Sequence, residues 1–511
     1  MGTLFKKNEM KQLCFLSSLL LVSEVTFAHD KPNIIVFLVD DMGVMDTSVP
    51  FLTESDGTPC TYPLNEWYRT PNMERMANQG IRFSTFYAQS VSSPSRASLM
   101  TGQNSARHGV TTWINVHKNN KGKFGPTSWN WDGVELNSSL LPKMLSKNGY
   151  KTIHVGKSHF GRIGSPDDDP KNLGFEVATA HVVVGPRSYL GEENFGYTGI
   201  DDPYFPKGLE EYAGKDIFLT EAVTQKALKE MDVSLEEKRP FFLYMSHYAV
   251  HAPFFADKRF MDNYQSQGMS EPAQRYASMI EGMDKSLGDI LDYLNEKNIA
   301  DNTLIFFIGD NGSDAPLGDE KGFTSSAPLR GKKGTEYEGG SRVPFIACWG
   351  KQDKKNKWQQ KLPIPCNKIQ QQMGTIMDVY PTILSLLDIT KAKEYPIDGQ
   401  DLSIQLKGNK NETRKEMMMI HFPHEHRGSY FTTYRKNDWK LIYYYNPKLP
   451  EYPQFELYNL KKDPFELHDY ATTESQILVE MINEMKDELV REGAKCVVDQ
   501  KGSSIYPFTK D

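Results

Sequence analysis

Residues 33 to 41 read NIIVFLVDD, an apolar run that ends abruptly in two aspartates. Three later runs share this pattern, with polar residues at the carboxyl end: Tyr150 to Val155, Pro240 to Met245 and Thr303 to Ile308. Amphipathic helical stretches separate the runs, which is typical of a parallel sheet with helices on both faces. Because ligands of α/β sheets bind at the carboxyl ends of the strands, we expect these four ends to converge on one crevice. The predicted fold class is α/β.

Two helices between these runs can be recognised from the sequence. Thr70 followed by Pro71 predicts a cap and a first-turn proline, and Gly80 supplies the stop. A longer helix is predicted from about Arg275 to Asn295, where apolar residues recur at helical spacing. We expect this apolar face, which includes two methionines, to pack against the sheet rather than to hold a cofactor.

The character of the sequence changes after about Leu406, where the polar stretch Lys407 to Lys415 marks a predicted boundary. Beyond it, short strands of an antiparallel sheet are predicted at Tyr430 to Tyr434, Trp439 to Tyr445 and Phe455 to Tyr458. A helix from about Glu474 to Glu492 follows them. We therefore predict a catalytic domain over 29–406 and a smaller C-terminal α+β subdomain over 407–511.

The amino-terminal residues predict export. Three lysines precede the apolar stretch Leu13 to Val22, and Ala28 ends a short segment before polar sequence. Residues 1–28 are therefore predicted to be a secretory signal peptide, so that the mature protein is periplasmic or secreted. The apolar stretch is too short for a confident membrane span, and no later segment offers about 20 consecutive apolar residues. We expect no membrane span.

Composition limits the possible partners. The chain has 511 residues, 39% of them hydrophobic, and a formal net charge of -7, which describes a packed protein rather than a disordered one. The charge balance does not suggest a basic surface for nucleic acid, so none is expected as a partner. Cys60, Cys348, Cys366 and Cys496 lack metal-ligand spacing and are expected to be buried thiols or to form one optional disulfide.

Residues 90 to 102 read SVSSPSRASLMTG, and this segment carries the chemistry. Pro94 suits the first turn of a helix, so Ser92 would lie at the positive end of the helix, where an oxyanion is stabilised. The segment resembles the motif of the type I, formylglycine-dependent sulfatase family: Cys or Ser, any residue, Pro, any residue, Arg, four residues, then Thr-Gly. With serine at position 92, the chain resembles the serine-type bacterial carbohydrate sulfatases of the alkaline phosphatase superfamily.

The resemblance implies a large mixed, mostly parallel sheet sandwiched by helices, with a smaller C-terminal antiparallel sheet and helix. It also implies that Ser92 is oxidised to formylglycine (3-oxoalanine) by a radical-type maturation enzyme with an iron–sulfur centre. A plain serine would be left as a stable sulfate ester. A hydrated aldehyde carries a second hydroxyl, whose deprotonation expels sulfate and so divides one hard step into two easier ones.

Acidic residues follow two of the predicted strands. Asp40 and Asp41 come after the first strand, and Asp310 and Asn311 come after the strand that starts at Thr303. Hard oxygen ligands of this kind suit Ca²⁺ or Mg²⁺ and offer no thiolate or imidazole for zinc. By resemblance, these four residues and the modified Ser92 hold one divalent cation, Ca²⁺ with Mg²⁺ as the alternative.

Basic residues complete the candidate site. By resemblance to the Gly-Lys-x-His, His-x-Pro and Gly-x-Lys-Gly-Thr elements of the family, the additional catalytic residues are Arg96, Lys157, His159, His251 and Lys333. The resemblance implies that Arg96 and Lys157 steady the aldehyde hydrate and that His159 acts as general base. It assigns His251 and Lys333 to sulfate binding and to protonation of the leaving alcohol, without deciding which is the principal acid.

The substrate is less sharply indicated. His424, His426 and Arg427 cluster where the C-terminal module begins, and they could contact a sugar or could lie in a solvated loop. We predict a sulfated glycan as substrate, with galactose or N-acetylgalactosamine sulfate as a first guess. Two other functions remain open: a phosphomonoesterase or phosphodiesterase of the same superfamily, and a non-catalytic exported glycan-binding protein if Ser92 is not oxidised. Asn311 and the serine motif argue against the phosphatase. Those enzymes resemble two-zinc proteins that have a histidine after the aspartate, where this chain has Asn311, and a plain Ser or Thr as nucleophile.

Overall fold

The structure is a computed structural model that describes residues 31–182, 185–202, 204–320, 323–427, 429–445 and 454–505. The predicted signal peptide, residues 1–28, lies outside the described residues.

The strands are β1 Asn33–Val39, β2 Ile81–Phe83, β3 Phe86–Tyr87, β4 Lys151–Gly156, β5 Val177–Thr179, β6 Phe241–Ser246, β7 Thr303–Gly309, β8 Gly318–Glu320, β9 Phe323–Thr324, β10 Phe345–Trp349, β11 Lys368–Gln370, β12 Gly374–Thr375, β13 Met417–His426, β14 Ser429–Lys436, β15 Trp439–Tyr444 and β16 Phe455–Asn459. The α-helices are α1 Pro63–Trp67, α2 Pro71–Gln79, α3 Ser92–Thr101, α4 Ser105–His108, α5 Leu141–Lys147, α6 Leu219–Glu236, α7 Glu271–Glu296, α8 Glu338–Ser341, α9 Lys357–Lys361, α10 Val379–Leu386, α11 Ser403–Leu406 and α12 Ser475–Glu492.

An eight-stranded sheet in the order β11-β2-β10-β7-β1-β6-β4-β5 forms the centre of the molecule. Strand β1 lies between β6 and β7 and is parallel to both, and β4 continues the parallel part beyond β6. Strand β10 runs antiparallel to both β7 and β2. The sheet is therefore mixed and mostly parallel, which confirms the predicted fold class, and the four predicted strands are β1, β4, β6 and β7.

The two faces of the sheet bury separate cores. In β1, Ile35 and Phe37 belong to the core that also includes side chains of α2, α6 and α7. Their neighbours Val36 and Leu38 point to the opposite face and join the core that includes side chains of α3, α5 and α10. Because both faces are covered, β1 is buried along its whole length, which explains its continuous apolar sequence.

Thr70 is the cap residue of α2, Pro71 begins the helix and Gly80 ends it, as predicted, but the Thr70 side chain does not make the capping hydrogen bond. The side chain of Thr70 does not accept a hydrogen bond from the first turn; its hydroxyl contacts Thr47 and Ser48 instead. The carboxylate of Asp284, on α7, accepts from the backbone N–H groups of residues 72 and 73 at 3.0 and 2.8 Å. A carboxylate from a packed helix therefore satisfies the free amides of α2.

The C-terminal sheet is antiparallel in the order β13-β14-β15-β16. One face packs against α12, and the other packs against residues of the first part of the chain, including Tyr87, Val91 and Met377. The predicted strands in this region are present, but β13 was not predicted. The proposed boundary at residue 406 stays a prediction, although the C-terminal sheet itself begins at Met417.

Two further sequence features can be located. Within the described part of the chain, no helix combines the length and the apolar character needed to cross a membrane. The four cysteines that follow the predicted signal peptide are free thiols. Cys348 and Cys496 are buried as expected, whereas Cys60 is half-buried and Cys366 is exposed, so the expectation of burial is wrong for these two.

Candidate active site

The polar ends of four parallel strands meet at one edge of the sheet. Asp40 follows β1, Asp310 follows β7, Lys157 follows β4, and His251 lies five residues beyond the end of β6. These strands are neighbours in the order β7-β1-β6-β4, so their carboxyl ends lie side by side. The crevice expected from the sequence is therefore formed, as the rule for ligand sites in α/β sheets requires.

Ser92 is the first residue of helix α3, directly below this edge. The preceding Val91 is extended, and Gly102 ends the helix with a φ of 68°, a left-handed conformation that favours glycine. Ser92 Oγ lies 2.9 Å from Asp40 Oδ1 and 3.1 Å from Asn311 Oδ1. The ten-residue helix directs its positive end toward this hydroxyl, which would stabilise an oxyanion there.

Asp40, Asp41 and Asp310, called here the acidic cluster, each offer a carboxylate oxygen, and these oxygens lie within 4.8 Å of one another. The Asn311 side chain donates from Nδ2 to Asp41 Oδ1 at 2.9 Å, which turns its Oδ1 toward Ser92. All of these atoms are hard oxygen donors in a buried pocket. The acidic cluster could therefore hold a metal ion of the kind that oxygen ligands prefer.

Arg96, Lys157 and Lys333, called here the cationic set, contact the acidic cluster. The Arg96 guanidinium donates to Asp310 Oδ2 from Nε at 3.1 Å and from Nη2 at 2.8 Å. Lys157 Nζ lies 2.5 Å from Asp40 Oδ2, and Lys333 Nζ lies 2.7 Å from Asp41 Oδ2. Each carboxylate is thus paired with its own cation, as buried charges require.

Burial and these pairs shift the acid pKa values in different directions. Burial alone would raise the pKa of Asp40, but the charges of Lys157, then of His251 and Arg96, lower it well below its ordinary value. Burial and the neighbouring Asp40 raise the pKa of Asp310 to about 7, in spite of the Arg96 guanidinium. Burial therefore opposes ionisation of Asp310, and a divalent cation bound by the cluster would favour its charged form.

The two candidate catalytic histidines have fixed ring orientations. His251 Nδ1 lies 2.6 Å from the Ala252 carbonyl oxygen, so this nitrogen carries the proton and Nε2 faces Asp41 Oδ2 at 3.8 Å. His159 Nε2 lies 2.9 Å from the Ile114 carbonyl oxygen, which leaves Nδ1 as the acceptor. Burial lowers the pKa of both histidines, so both are neutral near pH 7.

Exposure divides the site into a deep end and a mouth. The side chains of Arg96 and Lys157 are 0% and 1% exposed, whereas those of Lys333 and His251 are 13% and 29% exposed. Groups at the deep end can contact only other buried groups, such as the acidic cluster. Lys333 and His251, at the mouth, are the groups that an entering molecule would meet.

The three C-terminal residues proposed for substrate contact are placed separately. His424 is buried, with Nε2 2.8 Å from Thr111 Oγ1 and Nδ1 3.1 Å from the Lys121 carbonyl oxygen. His426 packs against Gly334, next to Lys333. Arg427 forms a bidentate ion pair with Asp314, at 2.8 and 2.9 Å. Their role in substrate binding stays a prediction.

Ser246, the last residue of β6, was not identified from the sequence. Its hydroxyl accepts from Arg96 Nη1 at 2.5 Å and donates to the Lys157 carbonyl oxygen at 2.7 Å. It therefore fixes the guanidinium against the loop that follows β4. Its position could have been recognised as at the other strands, because it is a polar residue at the end of a buried apolar strand.

The family model described as Sulfatase matches residues 32–389, and the model described as N-sulphoglucosamine sulphohydrolase, C-terminal, matches residues 333–495. The chain is 33% identical to human N-acetylgalactosamine-6-sulfatase over 386 residues, which cover 73% of this chain and 66% of that protein. The match thus spans a little less than two thirds of that relative. The chain is also 26% identical to a sulfatase of Formosa agariphila over 547 aligned positions, which cover 94% of this chain and 93% of that protein.

The fold is also similar to solved structures. The crystal structure of Ps i-CgsB in complex with k-i-k-neocarrahexaose superposes with a TM-score of 0.70 and 26% identity, covering 93% of this chain and 95% of that chain. The first family model alone spans well over half of the sequence, from before β1 to the end of α10, and includes the whole acidic cluster, Ser92 and the cationic set. The chain therefore belongs to the sulfatase family.

Proposed function

We propose that this protein hydrolyses sulfate esters of a carbohydrate, with Ser92 as the precursor of its nucleophile. One observation carries the proposal. The Ser92 hydroxyl lies within hydrogen-bonding distance of Asp40 and Asn311, at a helix start and beside three buried carboxylates that could hold a cation. This is the arrangement needed to activate a hydroxyl and to compensate the charge of a transferring sulfuryl group.

The acidic cluster, with Asn311 Oδ1, fits one divalent cation, and we propose Ca²⁺, with Mg²⁺ as the alternative. We also propose that Ser92 is oxidised to formylglycine, a two-electron oxidation that removes two hydrogens and that needs a radical-type maturation enzyme as oxidant. When bound, the cation would supply Lewis-acid charge, and the aldehyde hydrate would supply a second hydroxyl for release of sulfate.

The residues of the chain divide the remaining work. Arg96 and Lys157, at the deep end, hold the carboxylates and the hydroxyl of residue 92 in place. In the described part of the chain His159 Nδ1 is buried without a hydrogen-bond partner, and its neutral ring can accept a proton there. Lys333, whose pKa is raised by Asp41 and Asp40 against the effect of burial, carries a proton at the mouth. With His251 Nε2 beside it, it would meet the sulfate and the leaving oxygen.

Two relatives support a sugar substrate. The human relative is named for N-acetylgalactosamine-6-sulfate, and the solved neighbour binds a carrageenan-type oligosaccharide, k-i-k-neocarrahexaose. We therefore propose a sulfated galactose or N-acetylgalactosamine unit for this chain. Export to the periplasm or beyond, directed by residues 1–28, is part of the same proposal, since such polymers are met outside the cytoplasm.

The decisive experiment is activity on defined sulfated sugars after co-expression with a radical-type maturation enzyme, with Ser92→Ala as the matched variant. We expect sulfate release only from the matured protein, and the mass of the peptide that contains Ser92 should fall by ~2 Da. Equal rates for the two proteins would refute the nucleophile. Faster turnover of phosphate esters than of sulfate esters by the unmodified protein would favour the phosphatase alternative.

A second measurement separates the two groups at the mouth. Loss of a general acid slows substrates with poor leaving groups most, because an aryl oxide leaves without protonation. If Lys333 is the acid, Lys333→Ala should slow sugar sulfates far more than 4-nitrophenyl sulfate, and His251→Ala should slow both alike. The reverse pattern would assign the acid to His251.

A further inference from the structure

A second cavity adjoins the candidate active site. It has a volume of about 270 Å³, enough for a pyranose ring, and its lining includes Val182 and Gly185. The Val182 carbonyl oxygen accepts a hydrogen bond at 3.1 Å from the backbone N–H of Ser158, the residue that follows Lys157 in the sequence. A Cβ atom on Gly185 would lie 3.0 Å from His251 Nδ1, so the cavity wall touches a catalytic ring. The cavity is therefore placed to receive whatever carries the sulfate group.

The charged groups of this cavity are mostly cationic. Arg187 and Lys207 line it, together with one carboxylate, Asp168, one oxygen of which accepts the Gly164 amide at 3.0 Å. The Arg187 side chain is 56% exposed, and its guanidinium is 4.0 Å from Asp202, beyond hydrogen-bonding distance. Its donors are thus available to a ligand.

Aromatic rings and one unused polar atom complete the lining. Tyr204 is 43% exposed and meets the His117 ring edge to face at 6.3 Å, so part of its surface remains open. The Arg187 guanidinium lies over the Tyr197 ring at 4.9 Å, which holds it at the cavity. His181 Nδ1 is buried and, among the described residues, lacks a hydrogen-bond partner. Aromatic surface beside free polar groups is typical of a sugar-binding cavity.

We propose that this cavity, the Arg187 pocket, selects a substrate with a second anionic group, a sulfate or a carboxylate, on the sugar next to the scissile ester. The inference rests on the proposed sulfatase function and specifies its substrate class. A neutral monosulfated sugar would leave the Arg187 guanidinium with only its long ion pair to Asp202 and its contact with the Tyr197 ring. A doubly charged unit would give it a charge-assisted, bidentate contact.

The test compares Arg187→Met, which keeps much of the apolar stem, with Arg275→Met as a matched control. Arg275 is an exposed arginine on α7 that pairs with Glu271 on the same helix. The substrates share one scissile sulfate and carry a neutral neighbour, a second sulfate or a uronate carboxylate. We expect Arg187→Met to lower the ratio of kcat/KM for charged over neutral substrates by about tenfold, mainly through KM. Arg275→Met should keep the wild-type ratio. The charged substrate whose ratio falls in Arg187→Met, the second sulfate or the carboxylate, identifies the anion that the pocket binds.

A binding measurement makes the inference independent of turnover. Metal-loaded Ser92→Ala protein is titrated with the desulfated oligosaccharide that still carries the second anion, at about 0.05 M and 0.5 M NaCl. Binding should weaken with salt, and adding Arg187→Met should remove most of that salt dependence. If wild-type protein cleaves no sulfate ester, the proposed function fails, and this titration still decides the pocket. Unchanged binding and unchanged ratios with Arg187→Met would overturn the inference.

Discussion

Replacement of Asn311 by aspartate tests whether this side chain faces a cation. Asn311 Nδ2 donates to Asp41 Oδ1 at 2.9 Å and to the Gly312 carbonyl oxygen at 3.0 Å. Asn311→Asp keeps the shape of the side chain and keeps an acceptor for Ser92. It removes both donated hydrogen bonds and sets a fourth carboxylate against Asp41. The substitution therefore changes charge and hydrogen bonding while it leaves the shape of the side chain unchanged.

The structure sets the size of the effect. Two carboxylates about 3 Å apart repel by about 5 kcal/mol at an effective dielectric constant near 20. Proton uptake limits this cost, so we expect the metal-free variant to lose about 3–5 kcal/mol of unfolding free energy. For a chain of 511 residues, this corresponds to a decrease in Tm of roughly 3–5 °C. Excess Ca²⁺ should recover most of it, because the added charge then faces a cation.

The assay is thermal unfolding of wild type, Asn311→Asp and Asn104→Asp, each in chelator and in excess Ca²⁺. Asn104 is also a buried amide and donates to the Met419 carbonyl oxygen at 2.7 Å, but it lies outside the acidic cluster. The decrease in Tm that Asn104→Asp causes should be the same in chelator and in excess Ca²⁺. If Asn311→Asp also loses equal stability with and without Ca²⁺, or gains stability in chelator, the assignment of Asn311 to a cation site is refuted.

Three other outcomes follow from the same contacts. Arg414→Met removes the guanidinium that lies 2.6 Å from the buried Asp378 carboxylate, so urea unfolding should show that the free energy of unfolding falls by about 3–5 kcal/mol. A second substitution, Asp378→Asn, should recover part of this loss, and additive losses would contradict the argument. The pKa of Asp310 is raised to about 7, so the stability that its protonation contributes to the metal-free protein is complete below pH ~4 and is lost as the pH rises through about 7. Calorimetry should therefore show that the affinity for Ca²⁺ falls from pH 8 to pH 5. An affinity that does not depend on pH would contradict the shift. Gly334 has a φ of 76°, and a Cβ there would lie 2.4 Å from His426 Nε2, so Gly334→Ala should lower unfolding free energy by at least about 1–2 kcal/mol, and an unchanged Tm would contradict the argument.

The strands that carry the site could be predicted because they are buried on both faces. Such strands have uninterrupted apolar sequences, and the change to polar residues marks where each one ends. β1 and β7 match the predicted runs to within one residue for this reason. The antiparallel direction of β10 could not be predicted in the same way, since the run Phe345–Trp349 contains nothing that distinguishes a parallel from an antiparallel neighbour.

Strand β13 was missed because its sequence contains Pro423, which has no amide hydrogen for a ladder. The structure places β13 at the edge of its sheet, with a register shift between Phe422 and His426, where proline is tolerated. Contacts between distant parts of the chain were equally hidden. Asp284 caps a helix some 210 residues earlier, and no local pattern indicates such a pairing.

The charges of the site bear on the proposed binding of a sulfated glycan by a protein of net charge -7. Above the pKa of Asp310, where all three carboxylates are ionised, the three negative charges of the acidic cluster balance the three positive charges of the cationic set. His251 and His159 add nothing near pH 7, because burial keeps both rings neutral. A divalent cation would therefore bring a surplus of two positive charges to this largely buried centre. That surplus favours a sulfate monoanion at the mouth, while Arg187 offers a separate positive charge in the adjoining cavity. Affinity for a singly sulfated ester should thus depend on the cation and on Lys333, and affinity for a more highly charged glycan should depend on Arg187 as well.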